Sequence, residues 1–398
     1  MGRFLFHRLV LTGALCAWTV AAEAAEALQI KIGYLQRAEQ QLTISPLDAP
    51  ASNEGLAGAE LAAADNNTTG KFLNQKFDVA NVKLKEGEDP AEAAAKLASE
   101  GISLAVADLP AADLLKAADA GRDRGMLFFN AGAIGDSLRE EDCRANVIHV
   151  APARSMLADG LAQYLIWKQW PKWVLVSGSH PRDKLWADAL RRSATRFGAK
   201  IVEERVFEDK GGARQTDSGI AEIQKQMPLF TQRLPNYDVL VAADESEVFA
   251  AYLPYRTKEP RPVAGSAGLV PASWDPSMEQ WGATQLQNRF IKQFSRRMKA
   301  LDMQAWTAVR MIGEAVTRKG SADAQKVREY LLGPTFLLAA FKGQGLTLRP
   351  WNLQLRQPVL LSDGKNIVSI SPQQGFLHPV SELDTLGYDK PETKCVLK

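Results

Sequence analysis

The sequence predicts an α/β fold: two lobes, each a parallel sheet flanked by helices, joined by a hinge of several strands. Three observations carry this expectation. Residues 173–207 read as strand, loop, helix, turn and strand near the middle of the chain. The same alternation has already run once, from residue 28 to residue 129. The two runs meet near Pro152, so each is a separate Rossmann-like lobe and the pair encloses a cleft.

In chain order, residues 28–35 form an apolar strand, 53–67 an alanine-rich helix and 77–84 a second strand. A helix over 90–99 leads to a strand over 102–107, and a helix over 111–120 to a strand over 126–129. In the second run, residues 173–177 are short, apolar and β-branched, as suits a strand covered on both faces. Leu185, Leu190, Ala194 and Phe197 recur at helical spacing, and Gly198 supplies a C-cap that tolerates positive φ. Ile201, Val202, Val206 and Phe207 give the next strand. A connection holding a helix is too long for a hairpin, so these strands run parallel with a right-handed crossover. Beyond Pro334 the rhythm breaks into short strands over 336–341, 345–348 and 353–361, read as a return to the second lobe, before a polar tail. The expected division is a leader over 1–24, a first lobe over 25–152 plus 282–333, a second over 153–281 plus 334–380, and a tail over 381–398.

At 398 residues and 46% hydrophobic, the chain is long enough for two such cores. Its 48 basic and 46 acidic residues nearly balance, and the bases form no block, which removes the electrostatic case for nucleic acid or an anionic membrane. Arg3, His7 and Arg8 precede an apolar run over 9–22, and Ala22, Glu23 and Ala24 form a cleavage site of the export type. An alternative cut follows Ala27. Cys16 lies inside the apolar run behind Leu15, where a lipoprotein signal wants a small residue, so a freely soluble exported protein is expected. Cys143 and Cys395 remain after processing, and an even pair in an oxidising compartment predicts a disulfide; two unrelated thiols are the alternative.

From KWVLVSGSHPRDKLWADALRRSATRFGAKIV the chain resembles type I periplasmic solute-binding proteins, the class that includes the leucine/isoleucine/valine-binding proteins of ABC transporters. YDVLVAAD, residues 262–265 and WTAVRMIGEAVT extend the resemblance along nearly the whole mature chain. CRANVIHVAPARSMLADGLAQYLIWKQW, EQWGATQLQNRF, LAAFKGQGLTLRPWNLQLRQPVLL and SPQQGFLHPVSELDTLGYDKPETKC are more narrowly similar to the binding-protein family found with PQQ-dependent alcohol dehydrogenase systems. The resemblance implies a periplasmic chain that binds a small molecule and delivers it to the membrane subunits of an ABC transporter. It implies a monomer with no nucleic acid, no cofactor and no catalytic role. The branched-chain relatives hold the ligand carboxylate with serine and threonine, where this chain carries Ala111, Ala112 and Ile134. Ala267 falls where they carry the acidic partner of the ammonium, so amino-acid specificity does not transfer.

Candidate ligand residues follow from position just past strand ends. Asp108 and Asn130 come from the first lobe, and Asp244 and Glu245 from the second. Such carboxylates accept hydrogen bonds from a hydroxyl or amine, or ligate a hard cation such as a lanthanide. Asp108 and Asp244 also stand where a helix N-cap is expected. Ser179, His180 and Arg182 form the loop after the central strand of the second lobe, and Ser266 the loop after residues 262–265. No G-x-S-x-G accompanies the Ser–His pair, and adjacent residues of one loop seldom have nucleophile–base geometry, so catalysis is not expected. Trp274 and Trp281 lie in the segment returning to the first lobe. Trp274, between prolines, is the expected cleft aromatic, and Trp281 the expected hinge packer.

Overall fold

The computed structural model describes residues 27–37, 49–211 and 216–397; the expected leader lies outside the described residues. The first lobe contains β1 (Leu28–Gln36), α1 (Leu56–Leu73), β2 (Gln75–Lys83), α2 (Pro90–Ser99), β3 (Leu104–Asp108), α3 (Ala111–Arg122), β4 (Leu127–Asn130) and β5 (Val147–His149). Its sheet is wholly parallel in the order β2-β1-β3-β4-β5. β4 is buried at all four residues and β3 at its first four, because helices cover both faces. β5 goes unanticipated: three residues behind a polar stretch carry no readable period.

The second lobe follows with α4 (Arg154–Trp167), β6 (Lys172–Gly178), α5 (Pro181–Phe197), β7 (Lys200–Phe207), α6 (Asp217–Phe230), β8 (Val239–Ala243), α7 (Leu253–Arg256) and β9 (Val263–Gly265). Its parallel sheet has the order β7-β6-β8-β9. In each lobe the chain reverses direction across the sheet at one strand, β1 in the first and β6 in the second. The loops after β1 and β3, and after β6 and β8, therefore diverge to opposite faces and leave a crevice between them, where ligands of open parallel sheets sit.

After β10 (Val270–Ala272) the chain returns to the first lobe as α8 (Ala283–Phe294), α9 (Ala300–Lys319) and α10 (Ala324–Leu332). α9 packs against α1 so closely that a Cβ on Gly58 would lie 1.9 Å from the Asp302 carbonyl oxygen, which requires glycine there. The chain ends in β11 (Leu338–Ala339), β12 (Gly345–Leu348), β13 (Leu355–Arg356), β14 (Val359–Ser362) and β15 (Ile367–Ser371). Phe336, Leu338, Ala340, Leu346 and Leu348, expected with the second lobe, pack in the core of the first beside Trp306 and Val309 of α9. Val359 and Leu361 of β14 reach the second core. The chain thus stays with the first core through β12 and β13 and reaches the second at β14 rather than at 334, because the apolar residues of the β11–β12 hairpin are taken up by α9 and α10.

Side-chain amides tie these crossings together. Gln354 Nε2 donates to the His149 and Ala151 carbonyls at 3.1 Å each, and Gln357 Nε2 to the Val150 carbonyl at 2.6 Å. Buried Lys342 donates to Gln357 Oε1 at 2.5 Å. Cys143 and Cys395 form a disulfide that closes a sequence separation of 252, as the cysteine count predicts.

Candidate functional site

At the crevice of the first lobe, the last residue of β1 pairs with Asp108, the last of β3. Tyr34, two residues earlier, points toward the N-termini of α1 and α9, and its hydroxyl donates to Asp108 Oδ2 at 3.3 Å. The loop after β4 presses against the carboxyl: a Cβ on Gly132 would come within 2.8 Å of Asp108 Oδ1. Burial pushes the Asp108 carboxyl up to about 7; the Tyr34 hydrogen bond opposes the rise, and Glu54 and Asp302 add to it. Burial, then the nearby Asp108, holds the Tyr34 phenol well above its ordinary range, so it remains a neutral donor. Asp302 has its own cation, since Arg296 reaches its two oxygens at 2.6 and 2.8 Å. A carboxyl that titrates near neutrality both donates and accepts hydrogen bonds, and Asp108 has one weak partner.

Asn130, expected to meet a ligand, is sealed inside the protein instead. Its Nδ2 donates to the Ala133 carbonyl at 2.7 Å and lies 3.1 Å from His149 Nδ1, while its Oδ1 accepts from the Ala133 amide at 2.9 Å. Arg139 completes the enclosure by donating to Gln354 Oε1 and to the carbonyls of Ala133, Gly135 and Ala151. Burial lowers its guanidinium to about 9 and, with the charge of Arg139, keeps His149 neutral. These residues build the floor between the lobes; their hydrogen bonds are spent on it.

In the second lobe Asp244 accepts from the amides of Val248, Phe249 and Ala250 at 2.9, 2.7 and 2.6 Å, and its own amide donates to Ser266 Oγ at 2.9 Å. Burial raises its carboxyl despite those three donors. Asp244 and Ser266 thus shape the loops after β8 and β9. Glu245 is gripped in bidentate fashion by Arg154, at 2.6 and 2.5 Å. Arg154 opens α4, and its amide donates to the Ile134 carbonyl of the first lobe at 2.9 Å; next to it Ser155 Oγ donates to Asp136 at 2.5 Å. The Glu245–Arg154 pair therefore stands where the lobes meet. Ser179 Oγ accepts from the Asp209 amide at 3.1 Å, and His180 Nε2 lies 2.8 Å from Asp209 Oδ2 with its ring 40% exposed. Arg182 is half-buried in the first turn of α5.

Trp274, expected at the cleft, is a core residue instead. Trp274 is 2% exposed within the first core, whereas Trp281 is 49% exposed and lies on Gly343. The segment from β10 to α8 runs along the first core, and Trp274 and Met278 are the side chains it buries there. Tyr34 and Arg154 belong to the site without having been anticipated. Their signals are faint: one polar-tipped ring in an apolar strand, and one arginine opening a helix directly behind the first crossing. Among the described residues no group of three or more His, Cys, Asp and Glu converges to hold a metal ion, and no helix is long and apolar enough to cross a membrane.

A family model described as periplasmic binding protein matches residues 29–226. No curated protein sequence matches the chain. Solved structures share its fold along most of its length. An amino-acid ABC transporter substrate-binding protein from Pseudomonas fluorescens superposes with a TM-score of 0.69 at 11% identity, covering 93% of this chain and 100% of the other. A branched-chain amino acid ABC transporter periplasmic ligand-binding protein from Burkholderia xenovorans gives 0.68 at 19% identity, covering 87% and 92%. An ABC transporter solute-binding protein from R. palustris, in complex with benzoate, gives 0.65 at 14% identity, covering 93% and 100%.

Proposed function

We propose that the chain, whose residues 29–226 match the periplasmic binding protein model, is a member of that family, the solute-capturing component of an ABC transporter, and takes a small organic ligand between its lobes. The observation that carries this reading is the Tyr34–Asp108 pair at the first-lobe crevice. A desolvated carboxyl with one weak partner is unfavourable to the fold, and the crevice is where a ligand would supply the missing partner.

The ligand class we favour is a non-zwitterionic acid or an alcohol. Ala111 and Ala112 begin α3, Ile134 gives its carbonyl to Arg154, and Ala267 is buried, so the hydroxyl and acidic handles for an amino acid are missing. The benzoate complex of the R. palustris protein is an instance of such a ligand in this fold. The motif resemblance to the proteins of PQQ-dependent alcohol oxidation points the same way, toward an alcohol substrate or its acid product. A lanthanide is the weaker alternative, since Asp244 is spent on three backbone amides and Glu245 on Arg154. Export to the periplasm follows from the family and from the leader read in the sequence.

One observation supports a second reading, a ligand-sensing or docking module without transport. Asn130, Asp244, Glu245 and Ser266 are all satisfied within the protein. A thermal-shift screen of the mature chain separates the two. Alcohols, aromatic acids, PQQ, branched-chain amino acids and lanthanum are the probes, and a ligand at about 100 Kd adds about 2.7 kcal/mol. Solute capture predicts a stabilising alcohol or acid whose effect shrinks in Asp108→Asn. No shift with any probe, together with a stoichiometric protein partner retained from periplasm, would establish the docking reading instead.

A further inference from the structure

The C-terminal tail joins the lobes a fourth time. Leu386 is buried in the second core with Met156 and Leu190. Just before it, wholly buried Asp384 accepts from Arg349 Nε and Arg356 Nε at 2.8 Å each. Just after it, the Gly387 amide donates to Asp159 at 2.8 Å, and the Arg192 guanidinium sits 4.0 Å from the Tyr388 ring centre. Glu392 then pairs with Arg192 at 3.1 Å and with Arg196 at 3.8 Å, both on α5. Every one of these anchors lies on the second lobe or on the last crossing into it.

The following residues grip the first lobe. Thr393 Oγ1 donates to Glu140 Oε1 at 3.3 Å, the Lys394 amide donates to Glu140 Oε2 at 2.6 Å, and Cys395 is bonded to Cys143. That loop is fastened in turn. Arg144 holds Asp119 of α3 at 2.7 and 3.1 Å, and Arg328 of α10 donates to the Ala145 carbonyl at 2.8 Å.

The last hold on one lobe and the first hold on the other are thus made by consecutive residues, whose Cα atoms stand about 3.8 Å apart. Between Glu392 and Thr393 there is no slack. Lobes of this fold swing about their crossings when they take up and release a ligand. We propose that the tail and its disulfide act as a short strap that limits how far the two lobes swing apart. The Glu392 ion pairs are partly exposed and contribute little; once they part, the strap is the span from the Gly387 amide, held by buried Asp159, to the Cys395–Cys143 bond, and the length of that span sets the limit. This inference needs only the two lobes and their hinge, and stands whichever ligand the crevice takes.

The experiment compares interlobe distances in the full mature chain by pulsed dipolar spectroscopy. Spin labels are carried on unnatural amino acids at exposed Glu86 and Glu208, after β2 and β7. Oxidised wild type is expected to give one narrow distribution. Six Gly/Ser residues inserted between Glu392 and Thr393 keep the disulfide but add a flexible span of about 13 Å. That variant and Cys395→Ser are both expected to give a broader distribution with new, longer distances. An insertion variant with intact disulfide and native circular dichroism that reproduces the wild-type distribution overturns the proposal. A broadening confined to Cys395→Ser overturns it too, because lost stability would then be the cause.

Discussion

The Asp108 carboxyl offers the sharpest test of the site, through stability rather than binding. In the folded chain it titrates near 7, against an ordinary value of 3.8, chiefly because burial disfavours its charge. Between about pH 4 and pH 7 the folded state therefore holds a proton that the unfolded state has lost. Stability falls as pH rises through that window and levels off above it. At 1.36 kcal/mol for each tenfold change, the full difference is about 4 kcal/mol; the group is half-buried, so solvent screening leaves about 2 kcal/mol as the effect to look for. Asp108→Asn keeps the shape, keeps an acceptor for the Tyr34 hydroxyl and removes the titration. Urea unfolding from pH 4.5 to pH 8 should show the variant equal to wild type in acid and more stable by about 2 kcal/mol at pH 8. A variant that is less stable than wild type at pH 8 would refute the account, since the carboxylate would then be contributing to the fold. Stabilisation joined to lost ligand affinity is the signature of a residue kept for function at the expense of stability.

Lys342 tests the hinge with the opposite sign. Burial lowers its amine to about 7, so between pH 7 and pH 10.5 the unfolded state binds the extra proton and stability rises with pH. Lys342→Met should flatten that rise and gain about 2 kcal/mol at pH 6, net of the partner that Gln357 loses, as read by chemical denaturation. Asp384→Asn strips the shared anion from buried Arg349 and Arg356 and should cost about 3–5 kcal/mol by the same measurement. A cost below about 1 kcal/mol would mean that the two guanidiniums find other acceptors.

The order of strands and helices was legible in the sequence because it rests on local chemistry. Apolar runs bounded by turns, alanine-rich helical spacing and Gly198 act within a few residues, and a parallel crossover has one favoured hand. The disulfide was legible because, with Cys16 in the expected leader, the two remaining cysteines allow a single pairing. Side-chain roles at the site were not legible, because each depends on a partner far along the chain. Asp108 meets Tyr34 across 74 residues, and Glu245 meets Arg154 across 91. A position past a strand end looks the same in sequence whether its side chain faces the cleft or, like Asn130, turns back to close its own loop. The burial of Trp274 has the same origin: composition says that two indoles lie on the return path, and only the packed core of the first lobe decides which of them fills it. The path of the tail lies furthest from what a sequence can show. Its polar residues read as surface, and it is the tertiary placement of Arg192, Arg196 and Glu140 that turns them into anchors on both lobes.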